Sequence, residues 1–364
     1  MPSELSKPNV RRTVLGMERK RRVFWALITL LIAAATIYTV LSVSGDMSPA
    51  KLLSAVEHAS PLWLCASLLC MAGFIVLEGL SLRCILRHLG YHRGFFQGLR
   101  YAAADQFFSA ITPSASGGQP AAALMMGSSS VRVGAVTVTL VLNLILYTAA
   151  TLTIGLVCLL VMPSVFLGLD GLSKVLVLVG LAVLVALTLL FHGLLRRGEL
   201  LLRLGKKLFR LLHRIHLMRN PDRWDERLTR LTEEYGECAM AMAGKPDVWL
   251  KVYLLDLGQR AAQITVTLTL HFAISRGAQA NGAALWVTQA LAQIGSGCVP
   301  IPGGMGAADY LMLSGFQNLF PMEYAFELQI LSRGVSFYIC TLLSGLIVLI
   351  SVAAAWVRKR KKTR

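Results

Sequence analysis

The chain has 364 residues and a mass of 39.6 kDa, with 55% hydrophobic and 15% charged residues and a mean hydropathy of +0.62. Soluble domains carry about 25% charged residues, so the composition excludes an ordinary soluble protein. The net charge of +17 (36 Lys and Arg against 19 Asp and Glu) lies around apolar runs, with no motif or stacking platform beside it, which argues against nucleic acid as a partner.

About 20 apolar residues span the hydrocarbon of a bilayer, and the chain offers several such runs. Residues 1–22 include Lys7, Arg11, Arg12, Arg19, Lys20, Arg21 and Arg22 and read as a basic cytoplasmic N-terminus. Residues 23–43 contain no ionisable group. This run exceeds the roughly 7–15 residues of a signal-peptide core, so it reads as a retained first helix. The weakly charged stretch 45–60 is then external. Residues 62–81 return to the cytoplasm, where Arg83, Arg87, Arg93 and Arg100 follow. Residues 133–162 go out, 163–173 form a loop without Lys or Arg, and 175–195 come back. Residues 196–251 carry 13 Lys and Arg against 8 Asp and Glu, which places them in the cytoplasm. Within them, 203–214 read as a basic amphipathic helix on the membrane surface. Residues 252–274 go out, and 328–356 come in to a basic tail at 358–364. Six crossings with both termini cytoplasmic, in the cell membrane, satisfy every loop.

Two apolar segments remain, 95–126 and 283–320. Each is interrupted by Pro, Gly and Ser, at 112–120 and 295–306. Backbone that leaves the helix at membrane depth must be buried in protein or line a wet cavity. Both therefore read as re-entrant helix–break–helix hairpins entering from opposite faces, the signature of an inverted repeat around a central site. The expected fold is all-α: a polytopic membrane protein with about six transmembrane helices plus two re-entrant helical hairpins, the membrane domain covering 23–357.

The two breaks carry a resemblance. Thr112-Pro113-Ser114 with Gly117-Gly118-Gln119-Pro120, and Pro300-Ile301-Pro302-Gly303-Gly304-Met305-Gly306 running on to Asp309, resemble the paired signatures of the lysylphosphatidylglycerol synthase transmembrane region. That flippase-like family includes the membrane half of the multiple peptide resistance factor and small stand-alone homologues. Its patterns often carry an acid where this chain has Gln119, and Glu where it has Asp309. The chain ends at Arg364, just after the last apolar run, so no aminoacyl-transferase domain is expected in it. The resemblance implies movement of an anionic or polyprenyl-linked lipid between leaflets. The rival reading is a lipid-binding membrane partner that presents lipid to a separate synthase or glycosyltransferase. A homo-oligomer is also compatible.

The implied lipid-binding set is Pro113, Ser114, Gly117, Gly118, Gln119, Pro120, Arg260, Pro300, Pro302, Gly303, Gly304, Gly306, Asp309 and Arg333. The glycines would let backbone approach a ligand, with free N–H groups at half-helix starts that attract anions; alternatively they serve tight turns and helix packing. An ionisable group at the bilayer centre costs at least about 2.5 kcal/mol unless paired or hydrated, so such residues need an account. Asp256 and Arg260 are four apart and can pair. Asp105 and Asp309 either line the cavity or cap and pair within the hairpins. Arg333 either contacts a headgroup or snorkels to the outer interface. Glu78 and Arg83 read as boundary anchors, and His58 and His271 as interfacial. No HExxH, GxSxG or Walker motif occurs, so no enzyme is expected. The seven cysteines show no CxxC and no cluster with histidine, so neither a disulfide nor a metal or other cofactor is expected.

Overall fold

The computed structural model describes residues 59–112, 115–196, 221–275, 282–299 and 306–362. The expected first crossing at 23–43, the surface helix at 203–214 and His58 lie outside the described residues. Every regular element among those described is helical. In chain order they are α1 (Pro61–His88), α2 (Phe95–Ile111), α3 (Gly118–Ser128), α4 (Val133–Val161), α5 (Pro163–Gly168), α6 (Gly171–Arg196), α7 (Pro221–Ala243) and α8 (Pro246–Ile274). Then follow α9 (Gly282–Gly297), α10 (Ala307–Gln317), α11 (Met322–Arg333), a π-helical turn (Gly334–Ile339) and α12 (Cys340–Lys362).

Four stretches among the described residues are long and apolar enough to cross a membrane: Pro61–His88, Val133–Val161, Gly171–Leu195 and Met322–Ala354. They match the expected runs at 62–81, 133–162, 175–195 and 328–356. The run expected at 252–274 is also a helix, α8, and its 29 residues suffice in length. Lys251, Asp256 and Arg260 dilute its apolar character, which keeps it out of the four. Where a plain loop was expected at 163–173, the chain makes the short helix α5. Pro163 occupies its first turn, where a missing N–H costs nothing.

α1 packs along both α8 and α2, while α4 lies against α6, α7 and α8. α9 packs on α6, α8 and α10. Lipid tails are as apolar as leucine, so these contacts are held by close packing rather than by escape from water. The crossing of α1 and α2 is close because Gly79 and Gly98 put backbone against backbone there. One continuous core joins Met71 and Phe74 of α1, Ala102 of α2, Leu270 of α8, Leu285 of α9 and Phe316 of α10. Leu160 of α4 and Leu189 of α6 point outward and stay exposed, as a lipid-facing surface requires.

Both interrupted segments are helical pairs. In the first, Gln119 at the start of α3 reaches back to Asp105 on α2. In the second, Gly295 of α9 lies against Leu311 of α10 and Gly315 of α10 against Thr288 of α9, an antiparallel hairpin.

A cavity between the two broken elements

The ends of these hairpins meet at one cavity of about 520 Å³, within the range of small-ligand sites. α2 and α3 contribute Asp105, Gln106, Ser109 and Gln119; α9 contributes Gln289, Gln293 and Ser296; α10 contributes Met312. Asn143 and Tyr147 of α4, Glu78 of α1, Arg260 of α8 and Arg333 of α11 add to the polar lining.

The first break is closed by its own side chains. The Thr112 hydroxyl donates to the Phe108 carbonyl at 2.6 Å and accepts the Gly117 N–H at 2.8 Å. A Cβ at Gly118 would fall on the Asp105 carboxylate and the Ser109 hydroxyl. Gly118 therefore serves the contact of α3 with α2, and the space beside it is filled by those two side chains. The second break ends at Gly306, whose φ of +78° only glycine adopts readily. Its N–H donates to Asp309 Oδ2 at 2.9 Å. The amides at Gly117 and Gly306 thus have protein acceptors rather than standing free for an anion.

Arg333 does not snorkel. Its side chain is 8% exposed, and its Nε pairs with Asp309 Oδ1 at 3.0 Å. Gln329 adds a hydrogen bond to the same oxygen at 3.3 Å. The pair ties the first turn of α10 to the end of α11, immediately before the π-helical turn. Such turns occur frequently at functional sites, and Ser336 and Phe337 from this one line the cavity.

The expected pairing of Asp256 with Arg260 does not form. Arg260 instead lays its guanidinium 3.8 Å from the centre of the Tyr147 ring and donates Nη1 to Gln263 Oε1 at 2.6 Å. Its Nε is buried with no hydrogen-bond partner. Arg260 is thereby a stacked cation on the cavity wall with donor capacity to spare.

Two acids share this lining. Glu78 is 2% exposed, enclosed by protein. Its Oε2 accepts Gln106 Nε2 at 2.5 Å and Gln259 Nε2 at 3.3 Å. Asp105 lines the cavity and accepts Gln119 Nε2 at 2.8 Å and Ser109 Oγ at 3.3 Å. Arg83, read from sequence as a boundary anchor like Glu78, donates Nε to the Arg93 carbonyl. His271, in the last turn of α8, is buried: Tyr324 meets its Nδ1 at 2.7 Å and Phe320 packs on its ring.

Of the lipid-binding residues expected from sequence, Gln119, Arg260 and Arg333 line the cavity, and Asp309 reaches it through Arg333. Gly117, Gly118 and Gly306 shape the breaks. Pro120 is exposed in the first turn of α3. Pro113, Ser114, Pro300, Pro302, Gly303 and Gly304 lie outside the described residues. Glu78, Gln106, Asn143, Tyr147, Gln289 and Gln293 were not singled out for the site. Amides four apart in apolar helices, Gln289 with Gln293 and Gln259 with Gln263, were the available signal.

The profile described as "Lysylphosphatidylglycerol synthase TM region" matches residues 25–344, most of the chain. The chain belongs to this family. It is also similar to a UPF0104 membrane protein of Archaeoglobus fulgidus, 33% identical over 81 residues. That match covers 22% of this chain and 25% of the archaeal one. Membership of the lysylphosphatidylglycerol synthase transmembrane region family accords with the apolar helices and makes the chain a membrane protein.

Proposed function

We propose that this family member moves an anionic or polyprenyl-linked lipid between the leaflets of the cell membrane, with the headgroup passing through the cavity. Both termini and the 196–251 loop are cytoplasmic in this reading. Six crossings enclose the two hairpins, which enter from opposite faces. No catalytic step is assigned to the chain. The observation that carries the reading is the convergence of both broken elements on one polar cavity bearing a stacked, donor-rich Arg260. A phosphate there would meet a guanidinium in a low-dielectric setting, where the attraction exceeds that at an exposed surface.

The test uses purified protein in vesicles with a phosphatidylglycerol that carries a fluorescent acyl chain. An impermeant reductant quenches outer-leaflet probe only. Transport predicts quenching beyond the outer-leaflet share, and a rate reduced at least about tenfold in Arg260→Gln, equivalent to one charge-assisted contact. Lipid bound without movement would refute transport and leave the presenter to a separate synthase or glycosyltransferase.

A further inference from the structure

The acidic wall is not what an anionic headgroup needs, and its geometry suits another ligand. Glu78 and Asp105 line the same cavity, and the residue next to Asp105, Gln106, donates to Glu78 Oε2 at 2.5 Å. Two carboxylates that share one site disfavour each other's ionisation, so the site suits a single bound proton. The donors around the pair are neutral: Gln106 and Gln259 on Glu78, Ser109 and Gln119 on Asp105.

Gln259 supplies an independent sign. Its side chain is fully buried and its Nε2 serves Glu78, yet its Oε1 has no hydrogen-bond partner. A buried acceptor left empty is costly. Turned over, the same amide accepts from Glu78 as a carboxylic acid. Gln259 can therefore satisfy Glu78 both with and without its proton. The other charged or titratable groups on the cavity lining are Arg260 of α8, Tyr147 of α4, Cys340 of α12 and Arg333 of α11, the last engaged by Asp309; Asp256, one turn before Arg260 on α8, is buried as well.

We propose that Glu78 and Asp105 form a proton-binding site on the cavity, and that lipid movement is coupled to the uptake of one proton there from one side and its release to the other. This rests on the transport reading above. The proton comes from water entering the cavity and returns to water, and no other bond is made or broken. Arg260 and the acid pair line one cavity, so an anion held at Arg260 and a proton held at the acid pair favour each other by charge. That reciprocity is what coupling requires.

The same fluorescent phosphatidylglycerol vesicles test it, with the interior and exterior buffered separately. A gradient of one pH unit should shift the steady-state leaflet distribution of the probe by up to about tenfold for one proton per lipid. Glu78→Gln and Asp105→Asn should each abolish the shift. Infrared spectroscopy of wild type should show a carboxylic-acid C=O band that loses intensity in both variants. A wild-type distribution indifferent to the gradient, or a band unchanged in both variants, overturns the proposal while leaving transport itself standing. No probe movement with or without a gradient refutes the transport reading and the coupling with it.

Discussion

The Arg333–Asp309 pair offers the sharpest test of how the second hairpin is held. The perturbation is Arg333→Gln, Asp309→Asn and the double variant. The pair is 3.0 Å long, with side chains 8% and 31% exposed. It therefore lies between exposed pairs, worth about 0–1 kcal/mol, and fully buried ones, whose disruption costs about 3–5 kcal/mol. A coupling of about 1–2 kcal/mol follows, discounted for the solvent that reaches Asp309. In thermal unfolding of detergent-purified protein this corresponds to a Tm drop on the order of 3 °C for each single variant. Asp309 also accepts from the Gly306 amide and Gln329, so the double variant still perturbs the start of α10. Its loss should nonetheless be no larger than the worse single loss. Losses that simply add would show that the two residues do not couple, and the account of α10 anchored to α11 through this pair would be wrong.

Gly118→Ala should destabilise by about 1–3 kcal/mol, because its methyl displaces α3 from Asp105 and Ser109; a wild-type melting curve would refute the packing account. Asp170, at the start of α6, joins that helix to α10: it accepts Ser314 Oγ at 2.6 Å and the Tyr310 hydroxyl at 2.8 Å. Desolvation pushes its carboxyl up, but the hydrogen bonds from Ser173, Ser314 and Tyr310 outweigh this and hold it below the usual carboxylate range. A depressed folded value means that the stabilisation is complete above the unfolded value of about 3.9 and is lost as pH falls below it. The melting temperature should decline below about pH 4 in wild type, with a weaker decline in Asp170→Asn; parallel curves would refute it. Cysteines introduced into the 196–251 loop of a cysteine-free protein should resist impermeant reagent in intact cells, and labelling from outside would overturn the topology.

The elements were legible because the bilayer demands a long apolar run for each crossing, and 62–81, 133–162 and 175–195 are such runs. The breaks were legible too, since a cluster of Pro and Gly cannot continue a helix through an otherwise apolar segment. The function of individual glycines was not. Gly118 looks the same in sequence whether a ligand or a neighbouring helix fills the space beside it, and here the neighbour is α2, carrying Asp105. Likewise α5 hid in a loop because its six residues give no periodic signal.

The acidic wall was hidden for a different reason. Glu78 lies in an apolar helix shortly before Arg83, a spacing that suits a boundary anchor. What buries it is the close crossing of α1 and α2 at Gly79 and Gly98, which brings Asp105 to it together with Gln106, 28 positions along the chain. Its other amide, Gln259, comes from α8, 181 positions along the chain. None of these partners can be chosen from sequence separation or helical spacing. Asp256 and Arg260 make the converse point, since correct spacing did not produce a pair once Tyr147 offered Arg260 an aromatic face. Within a membrane, an isolated ionisable residue states only that a partner, a proton or water must exist. Which of the three answers it is decided by helix crossings, and here those crossings put a carboxyl pair and an arginine on the lining of the same cavity.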